Sequence, residues 1–564
     1  MPDPLPSRTA AEVLADQLIA QGVEHVFCVP GESYLAVLDA FHDRSLTVTV
    51  CRQEAGCAIM AEAIGKATGR PGVCFVTRGP GATNAMHGIH IAQQGSSPMI
   101  MFVGQIERAS RGREAFQELD YRAVFGSMTK WADEIDDPAR IPELVSRAFH
   151  VTMNGRPGPV VLALPEDMLV ERVAVADAPR VAPTESAPLP ADMARLADLL
   201  GVATAPMLIL GGSRWSEAAC AAVARFAERW ALPVATSFRR LPLFGPLHPN
   251  HAGDLGIGAN PKLLARIAAA DLVIAMGGRL GDIPSQGYTL FSIPKPACRL
   301  VHIHPDPDEL GRVYAADLAI AASPIGLAGA LDDLAPAGPL AWAGTAEAAH
   351  AEYRAWSDAA TPQPGGVNLG EIMVWLRETL PADAILTNGA GNFAAWVGRF
   401  YRVRRFAGHA APMSGSMGYG VPAAVAMQRL RPHVPVVCLT GDGDFLMNGQ
   451  EFATAVQYEL PIVVLVADNG QYGTIRMHQE REYPARISAT QLRNPDFAAY
   501  ARAFGGFGAT VAATNEFAGA FAAARASGLP SILHLKIDPD AILPGATLSG
   551  IRAKALEAHQ QRGA

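Results

Sequence analysis

The residues with the clearest chemical meaning lie between Gly441 and Asn469. An apolar run ends at the acidic glycine turn Gly441-Asp442-Gly443, and a second apolar run ends close to Asn469. A carboxylate and an amide oxygen suit a hard divalent cation, which takes oxygen ligands and shares phosphate oxygens. The glycines let backbone N–H groups approach such phosphates closely. This pattern predicts a site for a divalent cation and a phosphorylated ligand.

Two strands must position these groups. The segment is typical of a strand, a helix and a second strand, and such a crossover makes the two strands parallel in one sheet. We expect Asp442 and Asn469 to follow the carboxyl ends of neighbouring strands, where open α/β sheets bind ligands. A surface β-turn is the simpler alternative, but the flanking runs are strongly apolar. An EF-hand loop is excluded, because Leu446 and Met447 occupy positions that need a ligand and a glycine.

The composition is that of a globular enzyme and not of a nucleic-acid-binding protein. The chain has 564 residues, 49% of them hydrophobic, with a formal net charge of −8 and no basic run. Its 7 cysteines are scattered without a CxxC pair, as expected of reduced thiols in a cytoplasmic protein. The N-terminus lacks the apolar core of a signal peptide, and the apolar runs are too short to span a membrane. We therefore expect a soluble cytoplasmic protein with neither a nucleic-acid nor a membrane partner.

Three blocks of alternating apolar strands and helical patterns follow one another. We place them at residues 1–175, 190–335 and 366–540, with linkers rich in Pro and Ala between them. Each block alternates in the manner of an α/β fold, so we predict three doubly wound parallel-sheet domains. Residues 541–564 are typical of a mobile helical tail.

Over nearly its full length the chain resembles the thiamine-diphosphate (ThDP)-dependent enzymes of the acetolactate synthase, pyruvate oxidase and benzaldehyde lyase group. The GDG turn with Asn469 carries the resemblance, together with the segment CRQEAGCAIMAEAIGKATGRPGVCFVTRGPGATN around Glu54. It implies a pyrimidine-binding, a central Rossmann-like and a diphosphate-binding domain, in that order. It also implies ThDP and Mg²⁺ as cofactors, with the metal held by Asp442, Asn469 and the backbone carbonyl of Gln471.

Glu54 is the main catalytic candidate that the resemblance implies. It follows a strand and opens a helix, where the helix dipole favours a Glu in any protein. In the family the matching Glu contacts N1′ of the aminopyrimidine in an apolar cleft. A carboxyl group there can share a proton with the ring and stabilise the imino tautomer that activates the cofactor.

The third block matches further cofactor contacts of the family. Met417, in the segment SGSMGYG, resembles the apolar wedge that bends the cofactor, although core packing would also explain a Met here. The carbonyl of Gly415 would accept a hydrogen bond from the amino group of the cofactor, and Asn392 would lie near the diphosphate. The remaining cofactor-binding positions that the resemblance implies are Gly441, Asp442, Gly443, Asp444, Asn469, Gln471, Tyr472 and Gly473.

Substrate candidates come from both ends of the chain. Phe116 and Gln117 are similar to the AFQE segment that lines substrate entry in acetolactate synthases, with an amphipathic helix start as the alternative. Glu32, after Gly31, falls where 2-keto-acid decarboxylases carry an Asp for proton transfer. We hypothesise that Glu32 is a second titratable group over the thiazolium, the alternative being a surface Glu. The other residues that would form the substrate pocket are Gly31, Thr474, Ile475 and His478.

Some segments leave the subgroup and the second cofactor open. The pyruvate decarboxylase type carries a His pair where this chain has Ala82 and Thr83, and acetolactate synthases tend to have a Met and a Trp near residues 474–478. Segments 255–260, 275–282 and 302–311 are similar to those that hold FAD in flavin-bearing relatives. Their glycine pattern is imperfect, so plain turns remain the alternative to an FAD site.

The resemblance as a whole implies an enzyme that makes or breaks a carbon–carbon bond next to a carbonyl. We expect acetolactate-synthase-like action on pyruvate or another 2-keto acid, that is, decarboxylation followed by carboligation. The alternatives are a benzaldehyde-lyase-like enzyme acting on 2-hydroxy ketones, a simple 2-keto acid decarboxylase and a flavin-linked pyruvate oxidase. Outside catalysis, a silent regulatory homologue and a nucleotide-binding module on the same fold stay open. A homodimer or homotetramer is also implied.

Overall fold

The structure of the chain, a computed structural model, describes residues 5–563. The chain divides into two compact units. The first contains the chain up to Thr184, together with Val425–Pro432 and Asn448–Tyr458, and the second contains Glu185–Ala424, His433–Met447 and the chain from Glu459 onwards.

The N-terminal region, up to residue 184, folds around a six-stranded parallel sheet. Its strands are β1 (Arg8–Thr9), β2 (His25–Cys28), β3 (Thr47–Val50), β4 (Gly72–Val76), β5 (Met99–Gln105), β6 (Trp131–Glu134), β7 (Pro159–Pro165) and β8 (Arg172–Val173). Its helices are α1 (Ala10–Ala20), α2 (Leu35–His42), α3 (Glu54–Thr68), α4 (Pro80–Gly95), α5 (Tyr121–Phe125), α6 (Ile141–Met153) and α7 (Glu166–Leu169). The strand order is β3-β2-β4-β5-β7-β6, and β1 pairs with β8 separately.

The central region has a second six-stranded parallel sheet. Its strands are β9 (Pro206–Leu210), β10 (Val234–Ser237), β11 (His251–Leu255), β12 (Leu272–Met276), β13 (Arg299–His304) and β14 (Leu318–Ala321). Its helices are α8 (Pro190–Gly201), α9 (Glu217–Arg229), α10 (Pro261–Ala268), α11 (Pro324–Asp332) and α12 (Thr345–Ser357). The strand order is β11-β10-β9-β12-β13-β14.

The C-terminal region has the third six-stranded parallel sheet. Its strands are β15 (Ile385–Asn388), β16 (His409–Ala410), β17 (Val436–Gly441), β18 (Val463–Asp468), β19 (Phe507–Val511) and β20 (Ser531–Lys536), followed by the hairpin β21 (Ala541–Leu543) and β22 (Ala546–Thr547). Its helices are α13 (Leu369–Thr379), α14 (Ala394–Phe400), α15 (Gly420–Leu430), α16 (Asp442–Asn448), α17 (Phe452–Gln457), α18 (Gly473–Glu482), α19 (Phe497–Ala503), α20 (Phe517–Ser527) and α21 (Leu548–Gly563). The strand order is β16-β15-β17-β18-β20-β19.

Burial explains why these segments form parallel sheets. Every residue of the inner strands β5, β7 and β17 is buried, as continuous apolar runs require when helices cover both faces of a sheet. The predicted class, an α/β chain with three parallel-sheet domains, is therefore confirmed. No helix of the described residues is long and apolar enough to cross a membrane.

The C-terminal tail, which we expected to be a mobile helix, consists of the hairpin β21–β22 followed by the helix α21, and it is packed and not free. Ile542 and Leu548 are buried against Met477 of α18. Arg552 of α21 donates to the carboxylate of Glu480 at 2.6 Å, and Glu480 is fully buried. Helix α21 therefore covers α18, which carries three of the predicted substrate-pocket residues.

Candidate active site

The carboxyl edge of the third sheet brings three polar side chains together. Strand β17 lies beside β18 in a register that pairs Gly441 with Ala467, so the predicted neighbourhood of the two strands is confirmed. Asp442 follows β17 at the level where Asp468 ends β18. Nδ2 of Asn494 donates to both carboxylates, at 2.7 Å to Asp442 and at 2.8 Å to Asp468.

The two carboxylates differ in their electrostatic surroundings. Burial raises the pKa of Asp442, and the nearby charge of Asp468 raises it further. Burial alone would also raise the pKa of Asp468, but hydrogen bonds, led by that from His534, hold it well below its usual range. Asp442 is thus a buried carboxylate that a nearby cation would keep ionised.

The residues at this edge fit a hard divalent cation. The ligands that the sequence indicates are all oxygens, namely the Asp442 carboxylate, the Asn469 amide and the Gln471 carbonyl. No cluster of three or more His, Cys, Asp or Glu side chains that could hold a metal occurs in the described part of the chain. A set with a single carboxylate is the kind that Mg²⁺ uses when substrate phosphates complete its octahedron.

Glycines clear space beside these ligands. A Cβ atom on Gly443 would lie 2.6 Å from Cε1 of Tyr472, and one on Gly473 would lie 3.0 Å from Nδ2 of Asn469. Oδ1 of Asn469 accepts from the backbone N–H of Gln471 at 3.3 Å, which fixes the amide. Any side chain at either glycine would displace a residue that we assign to the site.

Asp444 lies two residues after Asp442, and its carboxylate accepts hydrogen bonds from three groups of the protein. Its Oδ1 atom accepts from the backbone N–H groups of Ala390 at 3.2 Å and Gly418 at 2.7 Å, and its Oδ2 atom accepts from the hydroxyl of Thr440. Burial raises its pKa to about 6. The Asp444 side chain therefore ties together the loops that bear other predicted contacts, which is a supporting role.

Asn392 is joined to the start of α18. Its Oδ1 atom accepts from the hydroxyl of Thr474 at 2.9 Å, and its backbone N–H donates to the same hydroxyl oxygen at 3.0 Å. Phe393 packs against the GDG turn, since a Cβ on Gly441 would lie 2.9 Å from its ring. The loop after β15 and the N-terminus of α18 thus form a connected wall beside the predicted metal ligands.

A cavity of about 730 Å³ joins these elements in the second unit. Gly415 and Met417 line it; Gly415 has a φ of +68°, and a Cβ on it would meet no atom within 4 Å. The other predicted site residues that line the cavity are Asn392, Gly441, Asp442, Gly443, Asp444, Asn469, Gln471, Tyr472, Gly473, Thr474, Ile475 and His478. Every site residue predicted in the C-terminal block therefore borders one cavity.

The cavity also reaches residues of the central region. Arg239 donates to the carbonyls of Gly389 and Pro412, and its burial lowers its pKa to about 10. Burial raises the pKa of Asp254, whose Oδ2 atom is buried and has no hydrogen-bond partner. Residues 256–260, from the first of the flavin-like segments, line the same cavity.

The first unit carries the remaining predicted residues. Glu54 is the first residue of α3 and is half-buried. Its Oε2 atom accepts from Nδ2 of Asn84 at 3.0 Å, and a Cβ on Gly81 would lie 3.3 Å from its Oε1 atom. The first turn of α4 therefore approaches the carboxyl group that we predict to be catalytic.

Glu32 is exposed and paired. Its carboxylate accepts from Arg78 at 3.3 Å, and the buried guanidinium of Arg78 also donates to Glu166 at 2.8 Å. A Cβ on the preceding Gly31 would lie 2.5 Å from Cβ of Thr77. Glu32 is thus paired with Arg78 at the surface, and its proposed role in proton transfer stays a prediction.

Phe116 and Gln117 lie in a turn and not at a helix start. The Phe116 side chain is 74% exposed, and Gln117 has a φ of +67°. A Cβ on Gly79 would lie 2.8 Å from Cβ of Gln117, so this turn packs on the glycine turn before α4. Arg156 donates to the hydroxyl of Ser96 at 3.0 Å and to the carbonyl of Gln93 at 2.8 Å, at the end of α4.

Sequence reasoning missed the residues that support the site. Asn494 joins Asp442 to Asp468 from a loop without regular pattern, so only its three-dimensional position identifies it. His534 and Lys536 lie on β20, where the register places them beside the end of β18. Period-two alternation of polar residues at the end of that strand could have indicated them.

Three family models match the chain in the order of its sheets. They are "Thiamine pyrophosphate enzyme, N-terminal TPP binding domain" at residues 8–124, the "central domain" at 193–331 and the "C-terminal TPP binding domain" at 389–535.

Curated relatives agree with these models over most of the chain. The acetolactate synthase large subunit of Parasynechococcus marenigrum is 32% identical, covering 94% of this chain and 87% of the relative. The acetolactate synthase isozyme 2 large subunit of Escherichia coli is 30% identical, covering 94% and 95%. The probable acetolactate synthase large subunit of Methanocaldococcus jannaschii is 30% identical, covering 95% and 93%. The chain belongs to the thiamine pyrophosphate enzyme family.

Proposed function

We propose that the chain is a ThDP- and Mg²⁺-dependent enzyme that decarboxylates a 2-keto acid and joins the resulting fragment to a second carbonyl compound. The observation that carries the proposal is the oxygen set of buried Asp442, half-buried Asn469 and buried Gln471 at the edge of a cavity of about 730 Å³. The similarity to acetolactate synthase large subunits supports the reaction class.

The residues of the second unit would bind and orient the cofactor. Asp442, Asn469 and the carbonyl of Gln471 would hold the Mg²⁺ ion that accompanies the diphosphate. The first backbone N–H groups of α18, a helix of 10 residues, have the polarity to meet a phosphate. Met417 would hold the bend of the cofactor, and the carbonyl of Gly415 would accept from its amino group.

When bound, ThDP supplies an electron sink for the carbon–carbon bond that breaks or forms. The chain would control protons and water around it. The Glu54 carboxyl would hold a proton opposite N1′ of the aminopyrimidine, and the apolar side chain of Ile475 would keep water from the substrate. Phe116 and Gln117 would border the entrance of the second substrate, and Glu32 would accept or return a proton.

The test is a product assay on the purified full-length chain with ThDP, Mg²⁺ and pyruvate. We expect release of CO₂ and formation of acetolactate, both abolished in Asp442→Ala and Glu54→Gln. A screen of other 2-keto acids and of 2-hydroxy ketones by mass spectrometry then identifies the substrate. Absence of turnover on every compound of both classes would refute the proposal and favour a silent homologue.

A flavin-linked oxidase is the second candidate, because residues 256–260 border the cavity. A visible absorption spectrum of the purified protein distinguishes it, since bound FAD is yellow. We also expect a homodimer or a homotetramer, as the resemblance implies. A fully active monomer in sedimentation velocity would contradict that expectation.

A further inference from the structure

Glu451 is a fully buried carboxylate in the first unit for which the proposed mechanism has no use. It accepts from the backbone N–H groups of Arg52 at 3.1 Å and Gln53 at 3.0 Å. The hydroxyl of Thr454 donates to its other oxygen at 2.6 Å. Each of these partners is a donor, so the site is built for an acceptor group.

These contacts complete an unusual cap at the start of α3. Gln53 is the N-cap residue, and its side chain accepts from the N–H groups of Ala55 at 2.6 Å and Gly56 at 3.3 Å. In a capping box, a Glu or Gln at the third helical position accepts from the N–H of the N-cap residue. Here the third helical position is Gly56, which has no side chain to do so.

Glu451 takes the place of the missing capping residue. A Cβ atom on Gly56 would lie 2.5 Å from Oε1 of Glu451, so the glycine makes room for this carboxylate. The N–H of Gln53, which would otherwise be left without an acceptor, donates to that same oxygen. The start of α3 is therefore held from outside the helix.

Glu54 directly follows Arg52 and Gln53, whose N–H groups Glu451 binds, and it is the first residue of α3. Its carboxylate is held at one end by Asn84, and its backbone follows directly from the two amides that Glu451 binds. We propose that Glu451 is a positioning residue for Glu54: by accepting from the Arg52 and Gln53 amides, it fixes the turn that aims the Glu54 carboxyl at the cofactor. The inference rests on the proposed function of Glu54.

The test compares Glu451→Ala with the conservative variant Glu451→Gln. The Gln amide oxygen can still accept from both backbone N–H groups, whereas Ala removes the acceptor. Tyr458→Phe is the matched control, because the Tyr458 hydroxyl accepts from the N–H of Val50 at 2.8 Å and so anchors the strand before α3 and not the cap of α3 itself. All variants are measured as full-length protein.

The first readout is amide hydrogen exchange of residues 51–57 in the protein without cofactor. We expect Glu451→Ala to speed exchange of the Arg52 and Gln53 amides at least about tenfold, since their acceptor is lost. Glu451→Gln and Tyr458→Phe should exchange like the wild type in this peptide. Unchanged exchange in Glu451→Ala would overturn the inference.

The second readout is steady-state kinetics with saturating ThDP and Mg²⁺. We expect Glu451→Ala to lower kcat by about tenfold to a hundredfold, the usual effect of misplacing a catalytic group by about 1 Å. The KM and the Kd for ThDP should stay within about twofold. Glu451→Gln should restore most of the kcat, and Tyr458→Phe should leave it close to the wild-type value.

A double mutant separates positioning from an independent effect. If Glu451 acts through Glu54, then Glu54→Gln combined with Glu451→Ala should have the kcat of Glu54→Gln alone. Additive losses would overturn the inference. If Glu54→Gln itself retains full activity, the proposed function of Glu54 fails and the inference fails with it; if only Glu451→Ala retains full activity, the inference alone fails.

Discussion

Glu451 also allows a quantitative test of burial through the pH dependence of stability. Burial raises the pKa of its carboxyl from 4.5 to about 7. At 1.36 kcal/mol per pKa unit, ionising it in the folded chain costs about 3 kcal/mol more than in the unfolded chain. Glu451→Gln removes this cost and keeps an acceptor for the Arg52 and Gln53 amides, so the variant should be the more stable protein at neutral pH.

Proton linkage determines whether this stability difference grows or shrinks as the pH rises. A carboxyl with a raised folded-state pKa contributes stability that is complete below pH 4.5 and is lost as the pH rises to about 7. The stability difference between Glu451→Gln and the wild type should therefore be near zero at pH 4.5. It should grow to about 3 kcal/mol at pH 7 and remain constant above that pH.

Differential scanning calorimetry of the cofactor-free protein between pH 4.5 and 9 measures this difference. For domains of this size, about 3 kcal/mol corresponds to a Tm increase of roughly 6–12 °C. Other titrating groups are shared by both proteins and cancel in the comparison. A Tm difference that does not change with pH would refute the argument that ionising the buried Glu451 carboxyl costs stability. So would a Glu451→Gln variant that is less stable than the wild type at pH 8.

Four further predictions concern the second unit. Asp444→Ala should lower the free energy of unfolding of the cofactor-free protein by roughly 2–6 kcal/mol in calorimetry, because two buried N–H groups lose their acceptor. Asp442→Ala should leave that free energy within about 1 kcal/mol of the wild-type value or raise it. The same variant should no longer be stabilised by ThDP with Mg²⁺. Gly443→Ala, whose Cβ would lie 2.6 Å from a tyrosine ring, should weaken ThDP binding at least about tenfold in titration calorimetry. Arg552→Ala should speed proteolysis of the C-terminal tail, because buried Glu480 loses a cationic partner; unchanged cleavage would contradict the packed tail.

The strands that sequence reasoning found and missed differ in their position in the sheets. Apolar runs in the sequence predicted every inner strand of the three sheets and also one edge strand, β3. They missed the edge strands β6, β11, β14, β16 and β19. Four residues of β6 are only half-buried, β14 alternates with exposed positions and β16 has two residues. An edge strand has one neighbour and a less apolar face, so its local signal is weak.

The residues of the site also divide into those that the local sequence pattern predicts and those that only the fold brings to the site. The GDG turn and Asn469 are predictable, because each follows an apolar strand and the crossover rule makes those strands parallel. The contacts of Asn494 with Asp442 and of Glu451 with Gln53 are not predictable, because the fold brings these residues together from distant segments of the chain. Asp444 lines the cavity and stays a predicted cofactor contact, but the motif gave no indication that its carboxylate accepts hydrogen bonds from the backbone of two other loops.

Titration of the purified chain with ThDP by isothermal calorimetry, with and without Mg²⁺, tests the central claim most directly. We predict one ThDP bound per chain when Mg²⁺ is present, and loss of binding after chelation of the metal or in Asp442→Ala. The absence of binding in the presence of Mg²⁺ would contradict the account. So would binding that survives both chelation and the loss of the Asp442 carboxylate.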